Sequence, residues 1–212
     1  MDEKFWQSRW KNKQIGFHEG RTNALLLNFY DRLDLNPGDR VFVPLCGKTL
    51  DLDWLINQDL RVRGVEFNKD AVEEVFDRLN LIPDVQVVGS LLCYSAQSIR
   101  IFVGDFFELT AKMLGKTDAI YDRAALVALP PELRIRYARR LTELTRTARQ
   151  LLITFEYDQQ RMDGPPFSVP EADLKDIYTA HYKFDLLAHG AVTGPLAQRS
   201  GADEKTWLLT PR

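Results

Sequence analysis

The sequence predicts an α/β fold, a mostly parallel sheet of seven strands with helices on both faces and a C-terminal antiparallel hairpin. Three observations carry the prediction. Short apolar stretches rich in Val, Ile and Phe stand at 41–45, 62–65, 99–103, 118–121 and 151–155. Segments that read as helices separate them, and that alternation implies parallel strands, because each parallel pairing needs a crossover that lays a helix on the sheet. After Pro170, a helix-like EADLKDIYTAH is followed by YKFDLLAHG and KTWLLT, which suit two strands closing one edge of the sheet.

The crossing helices follow from periodicity. Asn68 is a candidate N-cap, and after it Val72, Val75, Phe76 and Leu79 repeat at i, i+3, i+4 and i+7, which defines one apolar face. Residues 131–148 behave likewise through Leu133, Tyr137, Leu141, Leu144 and Ala148, and Pro130-Pro131 sets their start. The arginines at 134, 136, 139, 140, 146 and 149 are expected to form a solvated face of that helix. Between Leu81 and Asp105 the pattern changes. VQVV, LLCYS and IRIFV succeed one another around Gly89 and Ala96-Gln97-Ser98, which predicts an added meander.

The bulk numbers bound the function. A chain of 212 residues with a formal charge of −2 suits one domain over 1–212 and offers no field for gripping phosphate backbones, which weighs against nucleic acid. The composition, 45% apolar and 27% charged, is that of a soluble globular protein, and no apolar run approaches the roughly 18 residues of a membrane span. MDEKFWQSRW places acids where an export signal needs a basic start, so a cytoplasmic chain is expected. Cys46 and Cys93 are the only cysteines, too few for a disulfide framework or a cysteine-based zinc site, and no metal is expected. No long apolar surface stripe demands a partner, which makes a monomer the expected state.

Chemistry concentrates at the ends of the strands. VFVPL runs into Cys46-Gly47-Lys48, and the next strand ends at Glu66, about twenty residues beyond the turn, the interval that sets a carboxylate against a cofactor ribose. Only Gly47 stands where a dinucleotide site has three glycines. Pyrophosphate needs close backbone approach and several N–H donors, so a cofactor with ribose and adenine but no phosphate fits better. S-adenosylmethionine is the commonest molecule of that kind. Gly47 is otherwise a tight strand-to-helix turn, and Glu66 otherwise a cap for the following helix, a role Asn68 already fills.

Three further positions are read in the same way. Asp105 follows IRIFVG and precedes Phe106-Phe107, which makes it either a partner for an adenine amine beside a covering ring or an N-cap for FFELT. Arg123, in IYDRAAL, stands where open α/β sheets place ligands, and it is an anion or ring partner there or else is tied to Asp122 or Glu66. Trp6 and Trp10 lie one helical turn apart; the core is the favoured place for Trp6, and a short aromatic lid over residues 1–22 is the other reading. His18 is a lone histidine, structural or a base. Phe167, in the stiff GPPFSVP loop, walls a pocket or simply packs. No phosphate loop, H-E-x-x-H or nucleophile elbow is present, so phosphoryl transfer, zinc hydrolysis and esterase chemistry lose their support.

Taken in order, W-x-x-x-W at Trp6 and Trp10, IGFHEG at 15–20, VFVPLCGKTLDLDWL at 41–55, GVE at 64–66, IYDRAALVALP at 120–130 and GPPFSVP at 164–170 resemble the bacterial thiopurine S-methyltransferase family along nearly the whole chain. The resemblance implies a class I methyltransferase fold, Rossmann-like, and a cytosolic enzyme that methylates small aromatic or heterocyclic thiols with S-adenosylmethionine. It also extends the acceptors to selenium and tellurium compounds. Carried over by motif, the cofactor contacts are Trp10, Leu45, Glu66 and Arg123, with Asp105 and Phe106 beside the adenine. Phe17 lines the substrate pocket, and Arg123 and Arg199 act on the thiolate. Two rivals remain at this point: a non-catalytic S-adenosylmethionine-binding module, and a nicotinamide-dependent oxidoreductase, which the single-glycine turn disfavours.

Overall fold

A computed structural model of the chain describes residues 3–12, 14–16 and 18–212. Nine strands form one sheet: β1 Arg40–Pro44, β2 Arg61–Glu66, β3 Asp84–Val88, β4 Leu91–Ala96, β5 Ile99–Val103, β6 Ala119–Asp122, β7 Arg149–Glu156, β8 Tyr182–Ala191 and β9 Asp203–Pro211. The helices are α1 Glu3–Lys11, α2 Ala24–Phe29, α3 Asp51–Asn57, α4 Lys69–Arg78, α5 Ala111–Leu114, α6 Pro131–Thr145, α7 Glu171–Tyr178 and α8 Pro195–Ser200.

The strand order is β3-β4-β5-β2-β1-β6-β7-β9-β8. β5, β2, β1, β6 and β7 run parallel, and β9 and β8 close the far edge antiparallel, the seven-stranded arrangement expected from the alternation. The expected meander adds β3 and β4 at the other edge, with β4 antiparallel to both β3 and β5. A short helix, α8, stands between the last two strands where a bare hairpin was expected. Its PLAQRS carries no apolar face long enough to announce itself.

Why the helices sit where they do is visible in their faces. Asn68 accepts the Ala71 N–H and caps α4, whose Val72, Val75 and Phe76 are buried against Val62 and Ile101 on one face of the sheet. On the other face, Tyr137, Leu141 and Leu144 of α6 pack against Phe106, Ile120 and Leu152. Each fully buried aliphatic side chain contributes about 1.5–3 kcal/mol, and two such layers hold the strand ends rigidly in register. Arg134 departs from the expected solvated face. It is 2% exposed, its Nε donates to the Leu129 carbonyl at 2.8 Å, and its guanidinium lies 5.8 Å from the Phe167 ring centroid. α7 and the 164–170 loop cover that part of α6, which a single-helix reading cannot foresee.

The topology also opens a crevice. From β1 the chain lays β2 beside it, steps out to the edge at β3 and comes back through β4 to β5 next to β2, then crosses to the opposite side of β1 to lay down β6. Neighbouring connections therefore diverge at the carboxyl ends of β1 and β6, where open α/β sheets bind ligands. The β1–β6 ladder registers only Val41 with Ala119 and Phe42 with Ile120, so the strands part early. Among the described residues no helix is long and apolar enough to cross a membrane.

Candidate active site

The crevice is built on two turns. After β1, Leu45 and Gly47 take positive φ of 46° and 52°, and after β6 Ala124 does so at 59°. A left-handed leucine and alanine are costly, on the order of 1–3 kcal/mol each, and such strain gathers at ligand sites. Here both residues line both lobes of one groove.

Glu66 buckles the first turn to β2. Its Oε2 accepts the Gly47 N–H and its Oε1 the Asn68 N–H, each at 2.8 Å. The carboxylate is buried; burial pushes its pKa up, and the amides of Asn68, Gly47 and Phe67 offset part of the rise. Close approach of turn and strand requires Gly64, because a Cβ there would meet Cys46 Sγ at 2.8 Å. Each carboxylate oxygen retains a second acceptor site, so Glu66 can hold the turn and still receive two vicinal hydroxyls.

The first lobe, a groove of about 430 Å³ including the solvent at its open mouth, is apolar apart from that carboxylate. Trp6, Trp10, Leu45, Glu66, Phe67, Ala124 and Ala128 line it. Trp6 is thus half-buried at the cavity and not in the core, the place favoured for it from spacing alone. The Lys48 ammonium lies 5.9 Å from the Trp10 ring centroid and pairs with Glu74, which ties α1 to the β1 turn.

The second lobe is polar. Asp51, 1% exposed, accepts from Tyr121 Oη at 3.0 Å and from the Asn23 N–H at 2.8 Å, and lies 3.8 Å from Arg123 Nη1. Arg123 Nη2 donates to Glu19 at 2.5 Å. Burial alone would lower the Arg123 pKa, but Tyr121, Asp51 and Glu19 together outweigh it and the net shift is upward. Arg123 is tied to neither Asp122 nor Glu66, the partners of the alternative reading, but to Glu19 and Asp51. Asp122 faces the opposite way into the core and accepts from Tyr137 Oη at 2.7 Å and the Leu126 N–H at 3.0 Å. His18 lines this lobe beside Arg123 and Lys48. Burial lowers its pKa, with Lys48 and Arg78 acting in the same sense, and its buried Nδ1 has no partner among the described residues.

The remaining predicted residues separate from this cluster. Asp105 caps the short turn at Phe106–Glu108 by accepting the Phe107 N–H at 3.0 Å. Phe106 is 1% exposed and packs 4.8 Å from the Tyr137 ring, so its side chain cannot cover a base; burial in the core outcompeted the rim. Arg199 is exposed on α8 and lines neither lobe. Phe167 packs on Gly164 and Arg134, with its N–H bonded to the Val127 carbonyl at 2.7 Å. Phe17 lies outside the described residues. Sequence reasoning passed over Lys48, Asp51, Tyr121, Ala124 and Ala128. Asp51 opens α3 and reads as an ordinary first-turn acid, and Tyr121 as an ordinary strand residue; only their meeting across 70 positions marks them.

The geometry has close relatives. Residues 1–210 match the family described as thiopurine S-methyltransferase (TPMT). The chain is 49% identical over 210 residues to the thiopurine S-methyltransferase of Xanthobacter autotrophicus, covering 99% of each chain. It is 48% identical over 207 residues to that of Gluconobacter oxydans, covering 98% of this chain and 94% of the relative. Among solved structures, the Burkholderia thailandensis 1,6-didemethyltoxoflavin-N1-methyltransferase, with its namesake ligand and S-adenosylhomocysteine bound, has a TM-score of 0.67 at 17% identity, covering 98% of this chain and 87% of that one. A SAM-dependent methyltransferase from Anabaena variabilis scores 0.69 at 15% identity, with coverages of 99% and 95%; these two likenesses concern the fold. With a family match over nearly its full length and relatives close to half identical throughout, the chain belongs to the thiopurine S-methyltransferase family.

Proposed function

We propose that the protein transfers a methyl group from S-adenosylmethionine to the sulfur of a small aromatic or heterocyclic thiol, releasing S-adenosylhomocysteine. The observation that carries this reading is the buried Glu66 carboxylate, which holds a single-glycine turn at 2.8 Å while facing an apolar lobe flanked by Trp10. Such a lobe suits an adenosine without phosphate: two acceptor sites for the ribose hydroxyls, aromatic and aliphatic walls for the base, and no array of N–H donors for pyrophosphate. The adjoining polar lobe suits an amino-acid end. Asp51 and Glu19 answer an ammonium, and Arg123 a carboxylate or a thiolate.

When bound, the sulfonium supplies an electrophilic methyl group. What the chain contributes is mostly placement. Leu45 and Ala124 stand where the two lobes meet and set the position of the reacting centre by shape, while Trp6 and Trp10 exclude water from it. Holding the acceptor sulfur about 3 Å from the methyl carbon, in line, removes much of the entropic barrier. Arg123, kept charged by its acidic neighbours, lowers the cost of a thiolate nearby. The 1–22 segment acts as a lid on this reading: it carries Trp6 and Trp10 onto the apolar lobe and Glu19 onto Arg123.

Methyl transfer from labelled S-adenosylmethionine to a panel of heterocyclic thiols separates an enzyme from a sensor module; absence of product across the panel favours the sensor. For the cofactor site, Glu66→Ala is expected to weaken S-adenosylhomocysteine binding about 10- to 100-fold in calorimetry, the worth of charge-assisted hydrogen bonds of about 1.5–3 kcal/mol. Unaltered affinity rules out the ribose assignment.

A further inference from the structure

One carboxylate at the rim is left unexplained by cofactor binding. On β9, Glu204 is registered with Phe155, three residues beyond Leu152, and Leu152 is the partner of Asp122 on β6. At a rise of about 3.3 Å per residue, Glu204 stands about 10 Å above the level of Asp122, at the carboxyl rim and two strands across from Arg123. Its strand neighbours are paired: Lys205 with Glu156 at 2.5 Å, and Asp203 with His189 at 3.1 Å. Glu204 is half-buried, and among the described residues its carboxylate has no hydrogen-bond or ion-pair partner. Across on β8 its registered partner is Gly190, which brings no side chain.

The charged groups close enough to bear on its ionisation are Glu19, from the N-terminal segment, and Arg123, from the turn after β6. Burial and then Glu19 hold the Glu204 carboxyl above the usual carboxylate range, and Arg123 opposes them. The Glu204 oxygens are not among the buried atoms that lack a partner, so they reach the solvent side of the rim with acceptor sites that no protein group fills. A ligand seated at the rim can donate to them.

We propose that Glu204 is the proton acceptor for the thiol or thione substrate, receiving the S–H or ring N–H proton that must leave when the acceptor sulfur is methylated. The inference rests on the methyltransferase reading above. In the step a carbon–sulfur bond forms to the acceptor, and the methyl–sulfonium bond breaks with its electron pair kept by the donor sulfur. The acceptor's proton passes to a Glu204 oxygen. One positive and one negative charge are consumed together, which a closed, poorly hydrated rim favours. Arg123 orients the developing thiolate, and Glu204 disposes of the proton.

The test compares two acceptors in Glu204→Gln and the unaltered enzyme: 6-thioxopurine, which holds its proton near neutral pH, and a nitro-substituted aryl thiol that is already ionised. Removing a general base typically costs about 100-fold or more. We expect a loss of kcat of that order with 6-thioxopurine and a loss at least about tenfold smaller with the ionised thiol. The acidic limb of the 6-thioxopurine pH profile disappears in the variant. A second readout needs no turnover: in the presence of S-adenosylhomocysteine, the ultraviolet absorbance of bound 6-thioxopurine reports its ionisation, and its apparent pKa on the enzyme changes in Glu204→Gln. Equal losses with both acceptors, or an unmoved pH limb and absorbance titration, overturn the assignment. Failure of both acceptors with the unaltered enzyme instead sinks the methyltransferase reading.

Discussion

Glu66 and Asp122 are both buried carboxylates, yet their environments assign them opposite tasks. Glu66 spends one acceptor site of each oxygen on a main-chain amide and faces a cavity. Asp122 is 0% exposed, and burial raises its pKa to about 6, only partly offset by Tyr137 and the amides of Leu126 and Ala125. A carboxyl whose folded pKa lies above its unfolded value, about 3.9, favours folding fully below that value and loses the advantage as pH rises through about 6. Replacing Asp122 with Asn should therefore flatten the stability profile between about pH 4 and 6, by up to about 3 kcal/mol relative to the parent in urea unfolding. A parallel pair of profiles would show that Asp122 carries no such linkage. At this scale the sequence was partly legible. Glu66 could be read because its spacing from Gly47 is short. Phe106 was misread because an aromatic beside an acid looks the same whether it faces a ligand or, as here, Tyr137.

The helices and strands were legible wherever local pattern and tertiary burial agreed. α4 is the clearest case: the Asn68 cap and the apolar face both lie within a few residues of one another, and both are realised. Asn68→Ala removes the acceptor for the Ala71 N–H and should destabilise the protein by about 1 kcal/mol, lowering Tm by about 2–4 °C in calorimetric unfolding. A smaller shift would mean that packing of Val72, Val75 and Phe76 alone sets the start of the helix. α6 was legible in its apolar face and not in its arginines, because Arg134 owes its burial to Phe167 and α7, which lie well beyond it in the chain. α8 escaped for the opposite reason. It is too short for periodicity to register.

The whole molecule assembles the groove from four separate stretches of chain: the N-terminal segment, the turns after β1 and β2, and the turn after β6. The N-terminal segment is joined to the sheet through Lys48 beneath Trp10 and Glu19 on Arg123. Of four tryptophans, Trp6 and Trp10 line the apolar lobe, while Trp54 packs on Tyr30 and Trp207 is buried in the core. Titration with S-adenosylhomocysteine should perturb tryptophan fluorescence, and Trp10→Phe should remove most of that change and weaken binding about fivefold, for the loss of about 1 kcal/mol of ring contact. A full fluorescence response in the variant would place the ligand elsewhere.

Sequence by itself determined the alternation of strands and helices, the added meander, the family, and those site residues whose partners lie nearby in the chain. These are local matters, governed by side-chain periodicity, capping and turn chemistry, and short-range physics decides them before the chain closes. Tertiary structure alone decided which side chains meet at the groove and which do not: Asp51 with Tyr121 and Arg123, Glu19 with Arg123, and Phe106 turned inward. The physical reason is that ion pairing and burial depend on distance and dielectric in the folded molecule, which sequence separation does not record.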